Sequence, residues 1–78
     1  MVQISPAQCR AARGLLDWSQ EQLALAAGLS RSTVRDFESG RHEPHRGSMV
    51  LILQTLAAQG VEPVPASDGT GEGVRFRA

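Results

Sequence analysis

Apolar residues recur every three or four positions in four stretches of this chain, and turn residues stand between them. Ser5-Pro6 opens the first stretch, with Ser5 placed to cap a helix and Pro6 at its first helical position. Cys9, Ala12, Leu15 and Leu16 fall on one side of that helix, and Asp17-Trp18 ends it. Ser19 caps the second, and Gln22 stands three residues on, the spacing of a capping box. Leu23, Ala26 and Ala27 make its apolar face, and Gly28 stops it. Ser30 caps the third, whose inward residues are Leu29 just before it and then Val34 and Phe37. Arg31, Ser32, Arg35 and Asp36 point the other way, and Gly40 closes the helix. After a loop over 41–47 broken by Pro44, a fourth helix begins between His45 and Ser48. It carries the stripe Met49, Ile52, Leu53 and Leu56, and stops at Gly60.

Beyond Gly60 the period changes from helical to alternating. Val61-Glu62-Pro63-Val64 and Val74-Arg75-Phe76-Arg77 flank a turn-rich segment over 66–73, which predicts a loose hairpin. Pro63 and Pro65 confine the first strand to an edge. A lone two-stranded hairpin is marginal in water, so this one must pack on the helices or pair with another chain. The expected fold class is therefore all-α: a compact four-helix domain over 1–60, followed over 61–78 by a short C-terminal β-hairpin or extended tail.

Composition narrows the chemistry. A chain of 78 residues holds one small domain, with little core to spare for a cavernous active site. The single cysteine, Cys9, cannot form an internal disulfide and reads as a small buried apolar residue, which fits a reducing, cytoplasmic setting. No apolar run approaches the roughly 20 residues of a membrane span, and the N-terminus has no signal-peptide pattern. Every basic residue is an arginine and the formal net charge is zero. Arg31, Arg35, Arg41 and Arg46 nonetheless crowd one stretch, and arginine is suited to bidentate contacts with phosphates and base edges. An enzyme is not expected. Without lysine a phosphate-binding Walker loop is excluded, and 69–73 lacks the strand-to-helix context of a phosphate cradle. His42 and His45 are too sparse for a metal site, and neither a catalytic constellation nor a cofactor is indicated.

Two short helices joined at Gly28 can share one small core while the second keeps a face free, and an α-helix fits the major groove of DNA. At this point residues 19–40 closely resemble the helix-turn-helix of phage repressors and Cro-like regulators. The resemblance rests on Gln20, Ala24, Gly28, Leu29, Val34, Phe37, Glu38, Ser39-Gly40-Arg41 and Pro44, with Arg13 before them and Leu56 after. It implies a sequence-specific regulator, most simply a repressor, that binds double-stranded DNA as a homodimer on a palindromic operator. It implies that Arg31, Ser32 and Asp36 face base edges, and that Thr33 and Arg35 reach bases or nearby phosphates. Gln20, Arg41, His45 and Arg46 fall where relatives contact the DNA backbone. Arg13 and Glu38 match a pair that relatives use as an ion pair between helices one and three, a structural role.

The chain departs from its relatives after Gly60, where they usually carry a fifth helix that often takes part in dimerisation. The tail hairpin, with its open edge and the apolar pair Val74 and Phe76, or the end of helix four is then expected to make the dimer contact. Two other readings remain: an antitoxin-like autoregulator, or a protein-interaction module that recruits a partner through the C-terminal tail. Replacing Arg31 and Arg35 with alanine is expected to abolish duplex binding while leaving any protein partner bound, and a domain with no salt-sensitive affinity for duplex DNA is the interaction module.

Overall fold

Ser5 takes an extended conformation and its hydroxyl accepts the backbone N–H of Gln8, while Gln8 Oε1 accepts the N–H of Ser5 at 2.8 Å. This reciprocal cap starts α1 (Pro6–Leu16), which ends where Asp17 turns into the left-handed region. The same box, Ser19 with Gln22, starts α2 (Gln20–Ala27), and Gly28 at φ 73° ends it. A non-glycine side chain is strained at that φ, so the glycine that makes the tight turn is chosen by the backbone. Ser30 caps α3 (Arg31–Glu38) by accepting the N–H of Thr33. The fourth helix, α4, runs Arg46–Ala58, inside the window the sequence predicts for its start. The computed structural model describes residues 4–40 and 45–77. Arg41, His42 and Pro44, named above, lie outside the described residues.

Two strands follow, β1 (Val61–Val64) and β2 (Gly73–Phe76), paired antiparallel with Val61 opposite Phe76 and Val64 opposite Gly73. Among the described residues four helices and a formed hairpin make the architecture α-helical with a β appendage, so "all-α" holds only for those before β1. The hairpin is also tighter than its glycine-rich connection suggests. Ser67 and Thr70 exchange backbone hydrogen bonds around Asp68 and Gly69, both with positive φ. That is the two-residue Asp-Gly geometry whose twist matches a hairpin.

The core is made by Ile4, Cys9, Ala12, Leu23, Ala24, Val34, Phe37, Ile52, Leu56 and Val61, with Leu16, Trp18, Leu29, Met49, Leu53 and Val74 packed on its rim. Every helix and the first strand contribute, so none is stable by propensity alone. Two expected core positions differ. Leu15 and Ala26 are exposed, and Ala24 is buried where α2 meets α3. Periodicity gives a stripe, but its edges depend on what covers them, and these two fall at the margin of what the described residues cover.

The hairpin packs on α1 and α4. Val61 is fully buried, and Gln8 adds a polar clip. Its Nε2 donates to the carbonyls of Val64 at 3.2 Å and Gly73 at 3.0 Å, one on each strand. Gln8 thus caps α1 with its oxygen and holds the hairpin with its nitrogen. Ser5 Oγ also bonds the Glu72 carboxylate. A buried amide with all its groups partnered rigidifies a junction that apolar packing alone would leave free to slide.

Candidate nucleic-acid interface

α3 is divided along its length. Val34 and Phe37 are buried, as the three-residue spacing predicts. Arg31, Ser32 and Arg35 are exposed on the other side; Thr33 and Asp36 lie between. The arginine side chain at 35 is 58% open, with Nε 3.6 Å from Asp36 Oδ1. That contact is long and solvated, of the kind that contributes at most about 1 kcal/mol, so Arg35 remains able to reach outward. At the head of the helix, Ser30 Oγ lies 2.7 Å from Thr33 Oγ1 and 3.2 Å from Ser32 Oγ. These hydroxyls extend the polar surface that Arg31 begins.

Glu38, the last residue of α3, is 2% exposed and fixes the helix in place. Arg13 of α1 clasps its carboxylate in a bidentate pair, Nε to Oε2 and Nη2 to Oε1, each at 2.7 Å. Gln20 Nε2 donates to Oε1 at 3.1 Å, and the Cys9 thiol to Oε2 at 3.1 Å. Arg13 Nη1 also reaches the Trp18 carbonyl at 3.0 Å, and Arg10 Nη1 the Glu38 carbonyl at 2.5 Å. One carboxylate therefore ties the ends of α1, α2 and α3 together.

The charge states follow from that geometry. Burial by itself would raise the Glu38 pKa, but the hydrogen bonds from Arg13, Gln20 and Cys9 outweigh it and hold the carboxyl below its ordinary value. The hydrogen bond to Glu38 raises Arg13. Burial, and then the hydrogen bond to Glu38, push the Cys9 thiol far up, so it stays protonated and can donate.

The sequence-predicted positions divide accordingly. Arg31, Ser32, Thr33, Arg35 and Asp36 share α3, with Arg31, Ser32 and Arg35 on its exposed side and Thr33 and Asp36 flanking them. His45 and Arg46 are exposed at the start of α4. Gln20 stands at the first turn of α2, where a backbone N–H has no intrahelical acceptor, but its side-chain amide is turned to Glu38. The Arg13–Glu38 ion pair that the resemblance implies is present. Sequence reasoning missed Arg10, Gln8 and the Cys9 thiol as polar partners. Only the Ser-x-x-Gln spacing at Ser5 and Gln8 could have hinted at one of them.

A helix held from behind by an ion pair, with arginines and hydroxyls on its free side, and joined to the preceding helix by a glycine turn, is built to present that free side to a groove. The helix-turn-helix family model matches residues 10–58. The chain belongs to that family, in its phage-repressor-like branch. No individual curated protein matches it. Members of the family are DNA-binding transcription regulators, and this chain is accordingly a DNA-binding regulatory domain. The matched span covers all four helices in part or whole and stops before the hairpin. Among the described residues, no cluster of three or more His, Cys, Asp and Glu side chains is placed to hold a metal ion, and no helix is long and apolar enough to cross a membrane.

Proposed function

We propose that this helix-turn-helix domain represses transcription by occupying a palindromic operator as a dimer, with α3 of each copy in the major groove. The observation that carries the reading is the exposed surface of Arg31, Ser32 and Arg35 on a helix whose other side is buried and locked by Glu38. A recognition element must be rigid as well as accessible, because ordering it on binding would cost affinity.

The roles follow from reach and chemistry. Arg31 and Arg35 suit O6 and N7 of guanine, each worth about 1–3 kcal/mol of discrimination. Ser32 and Thr33 are flexible donors and acceptors for either base, and Asp36 accepts from cytosine N4 or steadies Arg35. The N–H of Gln20, at the positive end of α2, takes a backbone phosphate. His45 and Arg46 reach the backbone from the start of α4. Zero net charge leaves little long-range attraction to DNA, so non-specific binding is weak and base contacts carry most of the preference.

Selection of bound duplexes from a random pool tests this. The proposal expects one inverted-repeat motif with half-sites one helical turn apart, about 34 Å. Recovery of no motif, or of sequences bound equally well by an Arg31→Ala/Arg35→Ala variant, would sink it.

A further inference from the structure

The two edges of the hairpin are not equivalent. Arg77 N–H donates to the Gly60 carbonyl at 2.8 Å, which fixes the phase of the ladder. Gly60 and Arg77 are a hydrogen-bonded pair. With the observed register, so are Glu62 with Arg75 and Val64 with Gly73. The backbone groups of Val61 and Pro63 on β1, and of Val74 and Phe76 on β2, then point away from the partner strand. On β1 that outer edge is blunted, because Pro63 has no N–H and Pro65 extends the same phase. On β2 the outer edge is intact. Among the described residues, no group outside the hairpin bonds the N–H or C=O of Val74 or Phe76. Phe76, 48% exposed, stands on that edge.

We propose that the open edge of β2 pairs antiparallel with β2 of a second copy, so that two hairpins form one four-stranded sheet and this seam is the dimer interface. The inference rests on the dimeric reading above and names its contact. The occupant is another copy because the edge is complementary to itself. A two-fold axis through Arg75 sets Val74 opposite Phe76 of the second copy, twice, and each then satisfies the other's N–H and C=O. The side chains of that row are apolar, so the half-open Phe76 comes to rest on a valine. The opposite face carries the charges. Arg75 Nη2 lies 3.0 Å and Arg77 Nε 3.4 Å from the two oxygens of Glu62. The two Arg75 side chains meet at the axis as like charges, a cost that the Glu62 carboxylate beside each offsets, so the row runs Glu62–Arg75–Arg75–Glu62. Proline on one edge and self-complementarity on the other also stop growth at two copies rather than an open stack.

Sedimentation equilibrium of the chain without DNA, up to about 1 mM, reads the seam. Wild type is expected to show a concentration-dependent rise from one to two chain masses. Val74→Pro removes a donor that the hairpin itself does not use, and Phe76→Glu sets carboxylates into the seam; each is expected to remain monomeric, a shift of at least tenfold in dimer dissociation constant. Helical circular dichroism and Trp18 fluorescence confirm that a variant is folded, and the exposed Phe76 makes Phe76→Glu the safer of the two. A wild type that stays monomeric throughout overturns the proposal and leaves the edge to a different protein or to the chain's own N-terminal residues. So does a dimer that survives both folded variants and instead dissociates on Leu51→Asp, which would place the contact on α4. Binding of the variants to a duplex carrying one half-site is measured alongside. Its retention keeps the DNA reading whatever the seam does, and its loss in wild type rejects that reading independently of the seam.

Discussion

At the scale of single residues, Glu38 decides most. It is buried, charged and bonded by four side-chain donor groups from three residues besides its own helix: two on Arg13, one on Gln20 and one on Cys9. Removing one partner of such a pair costs more than the pair contributes, because the other charge is left buried. Arg13→Ala is therefore expected to lower unfolding stability by about 3 kcal/mol, measured by urea denaturation. Glu38→Gln should cost less, since an amide can still accept from Arg13. The pH dependence has a definite sign. The folded pKa of Glu38 lies below its unfolded value, so the unfolded chain binds the proton more readily. Its stabilising contribution is complete above the unfolded carboxylate value of about 4.3 and disappears as pH falls through the lower folded value. Thermal unfolding between pH 6 and pH 2 should show wild type losing more stability on acidification than Glu38→Gln; parallel curves would remove Glu38 from the account.

At the scale of elements, much was legible because it is local. Ser5, Ser19 and Ser30 cap their helices as their spacing predicts, and Gly28 adopts the left-handed conformation that its place after an apolar run requires. The divided surface of α3 also followed from periodicity. What local chemistry could not show is which elements meet. Gln8 reads as an ordinary polar residue of α1, yet it is buried and bonded to both strands of a hairpin more than fifty positions away. Gln20 reads as a phosphate contact, and only the approach of α3 turns its amide toward Glu38. The Arg13–Glu38 pair was expected through family resemblance, since nothing in its 25-residue separation suggests it. The hairpin turn was hidden among several competing glycines. Gln8→Ala tests the clip: it should leave the helices in place and release the hairpin, seen as faster amide exchange at Glu62 and Arg75, with about 1–3 kcal/mol lost. Gly28→Ala meets no neighbouring atom, so its cost is the positive φ alone, about 1 kcal/mol, read as a small drop in melting temperature.

At the scale of the whole molecule, the domain measures 35 × 26 × 20 Å. Two copies side by side are of the size needed to set recognition helices in successive major grooves, about 34 Å apart. The overall charge shapes the energetics. With eight arginines balanced by eight carboxylates, long-range attraction to DNA is slight, and what remains is concentrated at α3 and the start of α4. The logarithm of affinity should fall with the logarithm of salt at a slope set by the phosphates that the cationic side chains at those two places neutralise. Replacing Arg46 should reduce that slope by about one per half-site without changing the preferred sequence, whereas Arg31 should change the preference itself.

The most direct test of the central claim, that the outward surface of α3 reads DNA, is a fluorescence-anisotropy titration of a selected duplex. Wild type is compared with Arg31→Ala/Arg35→Ala at one fixed salt concentration. Both side chains are exposed, so the variant should melt as wild type does while its affinity falls about a hundredfold or more, at tenfold or more for each lost base contact. Equal affinities for a folded variant would mean that the free side of α3 is not the surface that meets DNA.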